Sequence, residues 1–130
     1  MIVLRVPATL QYRDVATRVV SAACKLVEAT SAEFGQQVVS AFGEAFNNAV
    51  LHAYRGLAPG ELVVEVAPLA DRIAIRLVDQ GRTFDPATIV DPDLDALPES
   101  GMGWFIIRSF MDEVRYEPGP PNVLSLAKRL

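Results

Sequence analysis

A chain of 130 residues, 51% hydrophobic and 22% charged, has the composition of an ordinary globular domain and is long enough to bury roughly two thirds of the surface its unfolded form exposes. Its net charge of −4 and the absence of a basic stripe argue against a nucleic-acid partner, and no apolar run approaches the ~20 residues that cross a bilayer. A single cysteine, Cys24, excludes an internal disulfide and a cysteine-based zinc site.

The opening Met-Ile-Val-Leu-Arg-Val-Pro is interrupted too early for a signal peptide, so the cytoplasm is the expected compartment. Ile2 to Val6 reads as a short strand ended by Pro7. From Tyr12 to Thr30 the apolar positions Val15, Val19, Ala22, Ala23, Leu26 and Val27 predict an amphipathic helix, with Cys24 a small buried residue in it. Ser31 caps a second helix from Ala32 to about Arg55, closed by Gly56 and Pro59-Gly60. The β-branched runs Leu62–Val66 and Ile73–Val78 form a hairpin through Ala70-Asp71. Asp85-Pro86 has the form of a helix start. The loop-like stretch from Ala87 to Ser100 carries Asp91, Asp93, Asp95 and Glu99 without Lys or Arg, which accounts for the whole acidic excess. A short helix from Gly103 to about Met111 and strands over Glu113–Tyr116 and Val123–Ala127 complete the chain. The order predicts one α+β domain over 1–130: a two-layer sandwich with a mixed, mostly antiparallel sheet and helices on one face.

Within the second helix, Glu44, Asn48 and His52 recur every four residues and form a polar ridge, while Phe42, Phe46, Ala49 and Ala53 trace an apolar stripe on another face. Asn costs up to ~0.7 kcal/mol against Ala in a helix, and Asn47 and Asn48 stand together here, so stability alone does not account for the ridge. A carboxylate one turn before a carboxamide offers a base and a hard oxygen donor. Asp79-Gln80-Gly81 follows an apolar strand; it reads as a turn, or as a carboxylate that accepts from an exocyclic amine beside a gap that admits a flat ring. Ser100-Gly101-Met102-Gly103 opens a helix, either as a plain entry turn or as a backbone that receives phosphate. His52 is the sole histidine, which excludes a His-paired metal site.

Taken in order, these segments resemble the ATP-binding Bergerat fold of gyrase-type topoisomerases, histidine-kinase catalytic domains and heat-shock chaperones, and most closely the bacterial anti-sigma factor serine kinases of partner-switching systems. Glu44 through Tyr54 looks like the Asn box, Asp79-Gln80-Gly81 like the first glycine box, and Gly101-Met102-Gly103 like the second. Ser100 through Trp104 and Phe110-Met111-Asp112-Glu113-Val114 are especially similar to that subfamily, and the resemblance spans nearly the whole chain. The resemblance implies that Glu44 is the general base, that Asn48 holds Mg²⁺, that Asp79 binds the adenine amine with Gly81 giving room, and that Gly101 and Gly103 receive the phosphates. His52, Phe84 and Met102 complete the nucleotide contacts it implies.

Three positions depart from the family pattern: Thr83 stands where a second Gly is usual, Glu99 where some members carry Arg, and Pro120-Pro121-Asn122 where Gly-Thr usually precedes the last strand. The last change predicts a weaker hydroxyl contact and a stiffer turn. The resemblance also implies ATP and ADP as ligands, a STAS-type anti-sigma-factor antagonist as phosphorylation substrate, a sigma factor as binding partner, and a homodimer using the first strand and a helix face. The acidic segment Ala87–Ser100 is the expected lid. The Phe84-Asp85-Pro86 that follows Thr83 is familiar in the subfamily, so that departure is discounted; a nucleotide-gated protein-binding switch with little or no kinase activity is the alternative that Glu99 and the altered last turn leave open.

Overall fold

The computed structural model describes residues 1–27, 31–84 and 102–130. Strand β1 (Ile2–Pro7) leads through a single 3₁₀ turn, Leu10–Tyr12, into α1 (Arg13–Cys24). Helix α2 (Ala32–Asn48) follows, and its last turn widens into a π-helical segment, Ala49–Ala53. Then come β2 (Glu61–Pro68), β3 (Arg72–Asp79), α3 (Met102–Phe110), β4 (Glu113–Glu117) and β5 (Asn122–Arg129).

The termini of these elements have local causes. The Ser31 side chain accepts from the Phe34 amide at 3.1 Å, the N-cap bond expected from the sequence. Helix α1 ends earlier than its apolar spacing predicts: after Cys24 the chain tightens into i→i−3 bonds, Leu26 N to Ala23 O at 3.0 Å among them. The part of that expected helix over 28–30 lies outside the described residues. Beyond α2, Gly56 adopts φ +74°, a left-handed conformation that glycine takes without steric cost. The β2–β3 hairpin closes on Ala70-Asp71, with the Leu69 amide donating to the Arg72 carbonyl at 2.8 Å.

The five strands lie in the order β1-β2-β3-β5-β4, and each pairing is antiparallel, so the sheet that sequence order allowed to be mixed has no parallel pair among the described strands. Strand β5 inserts between β3 and β4, which sets Asn122 directly opposite Asp79. One face alternates into the core: Leu62, Val64 and Val66 from β2, Ile73, Ile75 and Leu77 from β3, Leu124 and Leu126 from β5. Against it pack Val20 of α1, Phe42 and Phe46 of α2, and Ile107 of α3. Phe42 and Phe46 are fully buried, with ring centroids 6.3 Å apart and tilted by 57°; burying each is worth roughly 1.5–3 kcal/mol. The opposite face carries Arg5, Glu65, Arg76 and Arg115 in exposed ion pairs, the layer arrangement expected of helices on one side only. No helix among the described residues is long and apolar enough to cross a membrane.

Candidate functional site

The apolar stripe of α2 faces the sheet, and this leaves the Glu44/Asn48 ridge beside α3. Both side chains are half-buried. At the start of α3, Gly103 comes close enough that a Cβ on it would stand 3.2 Å from Glu44 Oε2 and 3.4 Å from Asn48 Oδ1. Residues more than 50 positions apart in sequence thus meet where the first-turn amides of α3 have no intrahelical partner. Asn48 Nδ2 is shut off from solvent and has no hydrogen-bond partner among the described residues. Such an orphan costs about 1–3 kcal/mol. Met102 is half-buried beside Gly103, whereas Gly101, Ser100 and Glu99 lie outside the described residues, as do Asp85-Pro86 and the expected acidic lid.

The ridge does not continue evenly to His52. From Ala49 the helix widens, and the Tyr54 amide bonds the Ala49 carbonyl five residues back at 3.3 Å. The wider turn takes His52 off the four-residue alignment with Asn48, and its side chain is exposed with no hydrogen-bond partner among the described residues. The widened end turns the Ala53 carbonyl toward the loop after β3, where the Arg82 amide donates to it at 2.6 Å. The missing side chain of Gly81 is what permits this approach: a Cβ there would stand 2.6 Å from the Ala53 carbonyl carbon. Tyr54 adds a second tie, its hydroxyl accepting from the Gln80 amide at 2.9 Å and donating to the Glu61 carbonyl at 3.0 Å.

Asp79 ends β3 at 8% exposure, and with the fully buried Asn122 it forms the one pair of buried carboxylate and carboxamide among the described residues. Its Oδ1 accepts from the Gly81 amide and from Asn122 Nδ2, each at 2.9 Å. Desolvation raises the Asp79 carboxyl above the usual carboxylate range, and these two donors partly offset the rise. No group among the described residues hydrogen-bonds Oδ2. Phe84, at the end of the same loop, stacks on Tyr116 with centroids 3.9 Å apart and meets Trp104 edge-on at 5.4 Å. Cys24 takes no part in this site: it is buried in the last turn of α1, and desolvation pushes its thiol up to about 11, so it stays protonated at neutral pH.

Sequence reasoning missed three residues of this site. Tyr54 was visible only as part of a motif, and its bridging hydroxyl gives no local signal. Thr83 and Asn122 were noted as departures, yet they bond each other at 2.6 Å. The clue for Asn122 was its place at the head of an apolar β-branched run, where an Asn is uncommon without a partner.

The sequence profile described as "Histidine kinase-like ATPase domain" matches residues 6–128. The serine-protein kinase RsbW of Staphylococcus aureus is 32% identical over 134 residues, covering 96% of this chain and 84% of that protein. The serine-protein kinase RsbW of Bacillus velezensis is 28% identical over 98% of this chain and 84% of its own length. Among solved structures, the RsbU and RsbW domains of Rv1364c from Mycobacterium tuberculosis superpose with a TM-score of 0.62 at 23% identity, covering 100% of this chain and 33% of that one. The blue-light activated histidine kinase of Erythrobacter litoralis superposes with a TM-score of 0.60 at 18% identity, over 78% of this chain and 32% of its own. At these identities the two structures speak for the fold.

Proposed function

The chain belongs to the family of histidine kinase-like ATPase domains, with RsbW serine-protein kinases among its relatives, and from that premise we propose that it is an ATP-dependent serine/threonine protein kinase and anti-sigma factor. In this reading it phosphorylates a small STAS-type antagonist in one state and sequesters a sigma factor in another, as a cytoplasmic homodimer. The observation that carries the catalytic half is the contact of Gly103 with both Glu44 and Asn48, which joins a base, a hard oxygen donor and free helix amides in one place.

The proposed nucleotide site has two ends with different chemistry. Asp79 Oδ2 accepts from the amine of adenine, and Phe84 and His52 border the nucleotide. At the other end, Gly101, Met102 and Gly103 bring the backbone of the α3 entry to the phosphates. Asn48 would hold Mg²⁺ through its side-chain oxygen, which lies beside Gly103 at the entry of α3; a hard cation takes one or two protein oxygens and keeps its other positions for phosphate and water. When bound, Mg²⁺ neutralises charge on the phosphates. Glu44 takes the proton of the attacking seryl or threonyl hydroxyl as its oxygen bonds the γ-phosphorus and the bond to the ADP oxygen breaks. Phosphorylation adds roughly −1.5 to −2 charges to the antagonist surface, enough to break a complex formed by the unmodified protein.

The deciding experiment incubates the protein with labelled ATP, Mg²⁺ and a purified STAS-type antagonist. Label on the antagonist with wild type and none with Glu44→Ala supports the kinase. Nucleotide binding without any transfer by wild type would replace it with the nucleotide-gated switch.

A further inference from the structure

Two of the departures from the family pattern, Thr83 and Asn122, are 39 residues apart and meet in one hydrogen bond of 2.6 Å. The amide of Asn122 is fixed by partners of unambiguous character. Its Oδ1 faces the Gly119 N–H at 2.9 Å, and its Nδ2 faces the carbonyls of Gly81 at 3.0 Å and Arg82 at 3.4 Å as well as Asp79 Oδ1 at 2.9 Å. Asn122 is fully buried and completely satisfied, accepting two bonds and supplying donors along the loop from Asp79 to Thr83. A single hydroxyl at this position has one proton to donate and cannot serve both the carboxylate and the Gly81 carbonyl. The Thr83 hydroxyl donates to Asn122 Oδ1 at 2.6 Å and lies 3.3 Å from the Gly119 carbonyl.

We propose that Asn122, oriented by Thr83, is a positioning residue that determines base specificity by holding the Asp79 carboxylate with one oxygen saturated and the other presented to the ligand. The proposal rests on the nucleotide-binding reading above and assigns its selectivity to Asn122 and Thr83. With Oδ1 occupied by two donors, Oδ2 is an acceptor of fixed direction. It rewards a purine with an N–H donor at its 6 position and opposes a 6-oxo purine, which brings a second acceptor to the same place. Without Asn122 the carboxylate can turn, and either edge finds a tolerable arrangement.

The test titrates ATP and inosine triphosphate, each with Mg²⁺, into wild type, Asn122→Ala, Thr83→Ala and the double variant, after thermal melting has shown each to be folded. The expected result is a preference of wild type for ATP, at least a tenfold loss of ATP affinity in Asn122→Ala, and a clearly narrowed ATP-to-inosine-triphosphate ratio. Thr83→Ala has a smaller effect in the same direction, and the double variant loses less than the two singles multiplied together, because the pair acts as a unit. The acid limb of ATP binding also moves to higher pH in Asn122→Ala, since a donor that favours ionised Asp79 is gone. Among the described residues, Tyr54 after the π-helical segment and Tyr116 of β4 are the titratable groups facing Asp79, and both phenols are raised and stay neutral in that range.

Should Asn122→Ala not fold, Asn122→Ser keeps a single donor and reads the same ratio. A folded variant with wild-type ATP affinity and an unchanged ratio overturns the proposal. Failure of wild type to bind either nucleotide overturns the functional reading beneath it instead.

Discussion

Gly81 lies so close to Ala53 that a Cβ on it would stand 2.6 Å from the Ala53 carbonyl carbon and 2.9 Å from the Ala53 side chain. The glycine therefore serves a backbone contact, the bond from Arg82 N to Ala53 O, before it serves any ligand. The room that the sequence reading attributed to a flat ring is filled on this side by the end of the widened α2. Gly103 differs in kind, since what its Cβ would approach at 3.2 Å is the end of the Glu44 side chain, which can move.

These two glycines respond differently to alanine. Gly81→Ala is expected to destabilise the fold by about 1–3 kcal/mol, the range for overpacking against backbone, read as a lower urea midpoint. Gly103→Ala should keep nearly the wild-type midpoint and lose phosphate-dependent affinity. Equal stability losses in the two variants would remove the distinction.

Glu44→Ala leaves the adenine end untouched, so ATP affinity by calorimetry should stay within a few-fold of wild type. Phosphoryl transfer to the antagonist should fall by about 10²–10⁴, the usual contribution of a positioned general base. Transfer at the wild-type rate would show that another group takes the proton.

Asn48→Ala removes a buried amide nitrogen that has no partner among the described residues, and replaces a weak helix former with the best one. The variant is expected to melt no lower than wild type while its ATP binding loses most of its Mg²⁺ dependence. A lower melting temperature with unchanged Mg²⁺ dependence would make Asn48 a structural residue.

Asp79→Asn preserves an oxygen for Gly81 and Asn122 and removes the charge. Because desolvation raises this carboxyl in the folded state, the native protein holds its proton more tightly than the unfolded chain does. The stability that this tighter proton binding provides is complete in acid and is lost as pH rises through the raised value. The neutral variant should accordingly gain on wild type at neutral pH, with the difference closing in acid. Wild-type ATP affinity should decline as pH falls through the same interval, whereas Asp79→Asn binds weakly throughout. A melting difference independent of pH would show that charge burial is not its source.

How much of this was legible beforehand varies from one residue to the next. The Ser31 cap, the α2 stripe of Phe42 and Phe46 and the alternation of β2 and β3 follow from local spacing, and all appear where the periodicity put them. The i,i+4 relation of Glu44 and Asn48 was equally local. His52 was not, because a π turn after Asn48 breaks the arithmetic that placed it on the ridge. Asn122 read as a stiffer, weaker turn; in the fold it is the most highly bonded side chain of the site, with partners at Asp79, Gly81, Arg82, Thr83 and Gly119.

The sequence by itself determined the elements and the chemical identity of the site, since hydrophobic periods of two and 3.6 residues and side-chain spacing within a helix are properties of neighbouring residues. Only the tertiary structure decided which of those groups cooperate. The insertion of β5 between β3 and β4 placed Asn122 opposite Asp79, and the packing of α3 beside α2 brought Gly103 against Glu44 and Asn48. Both contacts join residues 43 or more positions apart, at a distance where no local pattern persists and only strand order and the shape of the core fix the meeting.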